Sequence, residues 1–107
     1  MFIIRGTTPT ITINVRDDID LSQIVEAWVF ISQQNKVRVD KTMGDIEIIP
    51  DKMRMKVTLS QEETLNLKEG DAVFQVKILL ADETAMATIA RDIEVFQIYK
   101  GGVITDD

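Results

Sequence analysis

Asp17, Asp18 and Asp20 form the one tight carboxylate cluster in the chain. A hard cation with oxygen ligands, calcium above all, is the chemistry such a cluster suggests. The calcium-loop pattern is incomplete, because no glycine follows at the turning position and no glutamate closes the loop. An aspartate-rich turn accounts for the same residues without a metal, since aspartate bonds back to its own backbone two residues on. Glu62 and Glu63 are adjacent, but neighbours on a helix point ~100° apart and do not converge on a substrate. A carboxylate pair for glycoside hydrolysis has to be held ~5–9 Å apart across a groove, and no spacing here singles one out. Serines and threonines are plentiful, yet the sequence contains no histidine and no cysteine. That removes the imidazole base, the thiolate nucleophile and the nitrogen or sulfur metal site. No G-x-S-x-G elbow and no phosphate-cradling glycine loop occurs. The expectation is a protein that is not an enzyme, with no catalytic, cofactor-binding or metal-binding residues.

Charge and length narrow the partners. The net charge is −6 with a pI near 4.6, and the basic residues are scattered, so a nucleic-acid backbone is not an expected partner. No apolar run approaches the ~20 residues that span a bilayer. Most of the phenylalanines fit core parity, which disfavours a sugar site and leaves no small-molecule substrate in view. A chain of 107 residues is expected to form a single β-sandwich domain over residues 1–100. Gly101-Gly102 then begins a flexible tail over 101–107.

Period-two alternation supplies the elements. Ile11, Ile13 and Val15 share one strand face; Val25, Ala27, Val29 and Ile31 share the next. Val37 and Val39 read as a half-buried strand, Ile46, Ile48 and Ile49 as a short one that Pro50 stops, and Met53, Met55, Val57 and Leu59 as the most regular. Asp20 or Ser22 is placed to cap one helical turn, and Asn35 to take a left-handed turn position. Ser60 and Glu63 fit the capping box, in which each side chain satisfies an orphan backbone N–H, so one or two helical turns are expected over 61–66. Phe74, Val76, Ile78 and Leu80 make the next buried face. The last strand runs from Ala85 to about Ile98 with its parity broken at Arg91, predicting a bulge or sheet switch near Arg91 to Glu94. About seven strands, turns every ~8–12 residues and one short helix near residues 61–66 predict a mainly β fold, an antiparallel two-sheet Ig-like sandwich.

Strand alternation also yields a candidate interface. If Val25, Ala27, Val29 and Ile31 face the core, Trp28 and Phe30 face outward, with Val73 and Leu79 at the same outward parity on the strand around Phe74. Burial of Trp28 beneath the short helix, or beneath the loop after Val15, is the competing expectation. Val103 and Ile104 are apolar where a solvated tail is normally polar, which suits strand addition to a neighbouring sheet edge or packing on the same domain.

The opening Ile3-Ile4-Arg5-Gly6-Thr7-Thr8-Pro9-Thr10, directly before Ile11-Thr12-Ile13, resembles small proteins encoded in phages and prophages of Gram-positive bacteria. It also resembles the N-terminal sandwich domain of phage baseplate upper proteins. Val57-Thr58-Leu59-Ser60-Gln61-Glu62-Glu63-Thr64-Leu65 and Lys100-Gly101-Gly102-Val103-Ile104 fit the small phage proteins as well. The resemblance implies a virion structural protein of tail or baseplate. It would assemble with itself as a homo-oligomer, or with other virion proteins, in the virion or the bacterial host cytoplasm. From another class, a small intracellular acidic modulator or inhibitor of a host or phage enzyme fits the same composition. The opening motif also has a purely conformational explanation: Gly6 permits a bend other residues resist, and Pro9 fixes the approach to the first strand.

Overall fold

Short alternating runs separated by turn residues fold into nine strands, one α-helix and three single 3-10 turns among the residues that the computed structural model describes, 1–16, 19–87 and 91–97. In chain order the strands and the α-helix are β1 (Phe2–Ile4), β2 (Thr10–Asn14), β3 (Ile24–Gln33), β4 (Lys36–Thr42), β5 (Ile46–Ile49) and β6 (Arg54–Thr58), followed by α1 (Gln61–Leu65), β7 (Gly70–Leu80), β8 (Ala85–Ala87) and β9 (Arg91–Phe96). The larger sheet runs β1-β9-β7-β3-β4, with β8 also pairing β7; the smaller runs β2-β6-β5. The two-sheet sandwich and the short helix are as the alternation and capping box predict. The strand count is higher than the expected seven, and the sandwich is not wholly antiparallel. β1, hidden in what reads as an opening bend, pairs parallel with β9.

The core lies between the sheets. Ala27, Val29 and Ile31 of β3 and Phe74, Val76 and Ile78 of β7 meet Ile11, Met55 and Val57 from the smaller sheet, all buried. Three departures from strict alternation matter. Ile24 pairs Leu80 and Glu26 pairs Leu79, so Val25 is an extra residue in a bulge; it is 48% exposed rather than in the core. Likewise Ile31 pairs Val39 and Ser32 pairs Val37. Arg38 is the extra residue there, and Val37 is turned out to 58% exposure instead of sharing burial with Val39. In the final hairpin, Lys77 pairs Ala87 while Phe74 pairs Arg91, so three residues on one side span four on the other. β9 itself alternates regularly over Arg91–Phe96, with Ile93 and Val95 buried, so the bulge or sheet switch expected near Arg91 to Glu94 does not lie within it.

Polar side chains fix the crossings between sheets. Gly6 takes φ +80°, which glycine adopts without steric cost. Its N–H donates to the Oγ1 of Thr64, 3.0 Å away, in a fully buried position. The Thr64 hydroxyl in turn reaches the Thr7 carbonyl at 2.8 Å. Arg5 donates to the Leu65 carbonyl at 2.9 Å and to the side chain of Gln97. The opening motif is thus a joint between β1, β2 and α1, as its conformational explanation holds.

At the start of α1, Ser60 and Glu63 cap each other. At its end, the Asn66 amide donates to the Arg38 carbonyl at 2.7 Å, so the bulge in β4 also receives the helix. Gln33, buried at the end of β3, accepts from the Lys68 N–H at 2.8 Å and donates to the Lys68 carbonyl at 2.7 Å. Between β3 and β4, Gln34 and Asn35 both take positive φ, as a two-residue hairpin of matching twist requires.

Thr64→Val keeps the shape but leaves the buried Gly6 N–H unpaired. It should lower the unfolding free energy by about 2 kcal/mol, against about 0.8 kcal/mol for Thr64→Ser, which loses only a methyl group. Urea unfolding of both variants measures the difference.

Lys41 meets Glu63 at 2.7 Å. Burial pushes the Glu63 carboxyl up, but the Lys41 ammonium and the Ser60 N–H and hydroxyl together outweigh it and hold the carboxyl below its ordinary value. A carboxyl depressed by folding stabilises fully above the unfolded glutamate's titration, and the benefit is lost as pH falls through the lower, folded value. Across that acid window the urea midpoint of the wild type should fall further than that of Glu63→Gln.

Candidate interaction face

β3 lies between β7 and β4, so its outward side chains sit in the middle of the larger sheet's exposed face. Trp28 and Phe30 occupy that side, both half-buried, opposite Lys77 and Gln75 of β7 and Thr42 and Asp40 of β4. With Val37, Asp40 and Lys77 they line a shallow open depression of about 290 Å³. Among the described residues, none of α1 and none of the loop after Val15 contributes to that lining. Val37 belongs to the group because the Arg38 bulge flips it; regular alternation places it inward. An indole, a phenyl ring and an isopropyl group thus gather between one anion and one cation, neither of which has an ion-pair partner among the described residues.

Val73 and Leu79 are on the same face, as their parity requires, but not in the depression. Leu79 pairs Glu26 and Val73 pairs Ser32, which makes each a diagonal neighbour of one aromatic, ~7–8 Å away. Val73 is 37% exposed. Val103 and Ile104 lie outside the described residues.

The rest of the face divides into an acidic strip and an aromatic edge. Asp71 of β7 pairs Glu94 of β9, with Asp92 next to it on the same side. At the β1 edge Phe2 and Phe96 meet edge to face, ring centroids 5.7 Å apart and planes at 76°. Of the four phenylalanines only Phe74 is in the core; Phe30 is half-buried on the outward side that its parity predicts, and Phe2 and Phe96 are exposed, so most phenylalanines do not fit the core as expected. That edge is readable only once β1 is known to be a strand.

Of the aspartate cluster, Asp17 and Asp18 lie outside the described residues. The Asp20 carboxylate accepts from the Ser22 hydroxyl at 2.6 Å and the Ser22 N–H at 3.0 Å, capping a short 3-10 turn over Leu21–Gln23. Those two bonds hold it below the usual carboxylate range. Among the described residues no group of three or more Asp or Glu side chains is arranged to hold a metal ion. None of their helices is long and apolar enough to cross a membrane.

No family model matches the chain, and no curated protein matches it. Among solved structures it is similar to the Ig-like domain of mouse leukocyte-associated immunoglobulin-like receptor 1, in the form of a strand-swapped dimer. That likeness covers 90% of this chain and 86% of the other, at 13% identity and a TM-score of 0.51. The V domain of amphioxus IgVJ-C2 aligns over 90% of this chain and 99% of its own, at 11% identity and a TM-score of 0.36. At such low identity the mouse domain speaks to architecture alone, and with the strand order it establishes an Ig-like sandwich.

Proposed function

We propose that this chain is a non-enzymatic assembly module of a phage or prophage particle, associated with tail or baseplate. It works by protein–protein contact through the outer face of its larger sheet. The observation that carries the reading is the depression formed by Trp28, Phe30 and Val37. Aromatic residues, tryptophan above all, dominate the energetics of protein interfaces when a partner excludes water from them. A rigid sheet presents them with little conformational entropy left to lose on contact. The phage context is supported by the opening motif. Because Arg5, Gly6 and Thr7 are occupied with the joint to α1, that motif speaks for a shared way of folding rather than a shared partner. Self-association is part of this proposal; the strand swap belongs to the mouse domain.

The acidic strip of Asp71, Asp92 and Glu94 favours a second reading, an acidic modulator that engages a basic surface on an enzyme. The two readings use different parts of one face, so separate substitutions distinguish them.

Trp28→Ala with Phe30→Ser should give a smaller particle by light scattering while the melting transition stays cooperative. Ile31→Ala on the inward side of the same strand should instead cost about 2–5 kcal/mol of stability. Mass spectrometry of purified particles should find this polypeptide among the virion proteins. Its absence there, or an unchanged particle size for a folded double variant, contradicts the assembly reading. Loss of binding only on Asp71→Asn, Asp92→Asn and Glu94→Gln would favour the modulator.

A further inference from the structure

Carboxylates collect on the outer face of the larger sheet. Glu26 on β3, Asp40 on β4, Asp71 on β7 and Asp92 and Glu94 on β9 share the outward parity of Trp28 and Phe30, and all are exposed. Lys77 is the one lysine with them among the described residues. Two copies of this face therefore repel each other, since like-charge juxtaposition suppresses such a pairing. The depression calls for a cation instead. Its Asp40 has no ion-pair partner among the described residues, and it lies beside two aromatic rings. An arginine suits both, because its planar guanidinium stacks on aromatic faces and forks onto a carboxylate.

The opposite side of the sandwich presents one. On β6, Arg54 and Lys56 point away from the core, out of phase with the buried Met55 and Val57. Lys56 is paired across the ladder with Glu47 of β5. Arg54 lies between Asn14 of β2 and Ile49 of β5, so neither strand sets a carboxylate opposite it. It is exposed and has no ion-pair partner among the described residues. β6 is the central strand of the smaller sheet, held by a ladder on each side. The two outer faces look in opposite directions, so Arg54 cannot reach the depression of its own chain.

We propose that the occupant of the Trp28–Phe30 depression is Arg54 of a second copy of this chain, stacked on the aromatic pair and set against Asp40, with Ile49 as its apolar neighbour. This rests on the reading of the outer face as an assembly surface and names its partner. Tryptophan and arginine are the residues that most often dominate an interface. The contact is heterologous: each copy offers a depression on one side and an arginine on the other. Association is thus head to tail, and continues until a ring closes or a filament forms.

Complementation tests it. Trp28→Ala with Phe30→Ser removes the depression and keeps Arg54; Arg54→Glu removes the cation and keeps the depression. Wild-type mass in sedimentation equilibrium should rise past that of a dimer, and each variant should associate at least about tenfold more weakly. An equimolar mixture of the two variants should form a two-chain complex and nothing larger, because one intact depression meets one intact arginine. Only the Arg54→Glu copy then carries a tryptophan, so emission should move to shorter wavelength as the other variant is added. Asp40→Arg and Arg54→Gln, both at exposed positions, repeat the two halves of the test, and thermal melting verifies that every variant folds. A wild-type chain that stays monomeric at all concentrations overturns the proposal. So does an arginine variant that associates as the wild type does, the result expected of a contact between like faces, or a mixture that stays monomeric. In those cases, loss of binding to another virion protein on Trp28→Ala with Phe30→Ser preserves the assembly reading, and only the head-to-tail contact falls; unchanged binding removes both.

Discussion

A strand held between two neighbours sends alternate side chains to opposite faces of the sheet, and β3 carries apolar residues on both. Ala27, Val29 and Ile31 point into the core, buried almost completely. Trp28 and Phe30 have no choice but to point outward. The inward set ties β3 to the smaller sheet, so the strand cannot slip by one residue without exposing the core and burying an indole in its place. The outer aromatic face is therefore fixed by the same packing that stabilises the sandwich. The bulge at Arg38 enlarges it by turning Val37 outward, and gives its freed carbonyl to Asn66 at the end of α1.

The two sheets are registered by buried polar contacts as well as by apolar packing. Thr64 and Gln33 are the buried polar residues of the described chain, and each bonds backbone groups that would otherwise be orphaned where the chain leaves a strand. Both sites are enclosed, so an unmade bond costs the full desolvation of a peptide group. Arg5, Gly6 and Thr7 converge on α1 for this reason. A short helix too small to be stable alone becomes the anchor for the parallel pairing of β1 with β9.

Features that depend on near neighbours were legible in the sequence. Ser60 and Glu63 announce the start of α1, Asn35 the left-handed turn, Asp20 the cap after the second strand, and parity alone turns Trp28 and Phe30 outward. What remained hidden depends on distant partners. Phe2–Ile4 is a strand only because β9 lies beside it, and without that knowledge Phe2 and Phe96 pass for core residues. Bulges at Val25 and Arg38 leave no compositional trace, since valine suits either face of a strand. They move one valine out of the core and bring another into the candidate interface. Gln33 looks like a turn residue until its amide is seen to clamp the backbone at Lys68.

Trp28 is the only tryptophan in the chain, so its emission reports on the outer face alone. Recorded against protein concentration, it tests whether association occurs there. Burial of Trp28 between subunits predicts a shift to shorter wavelength that follows the rise in molecular mass measured on the same samples. An emission maximum that stays constant while the mass increases would place association elsewhere, and would contradict the account of the β3 face as the assembly surface.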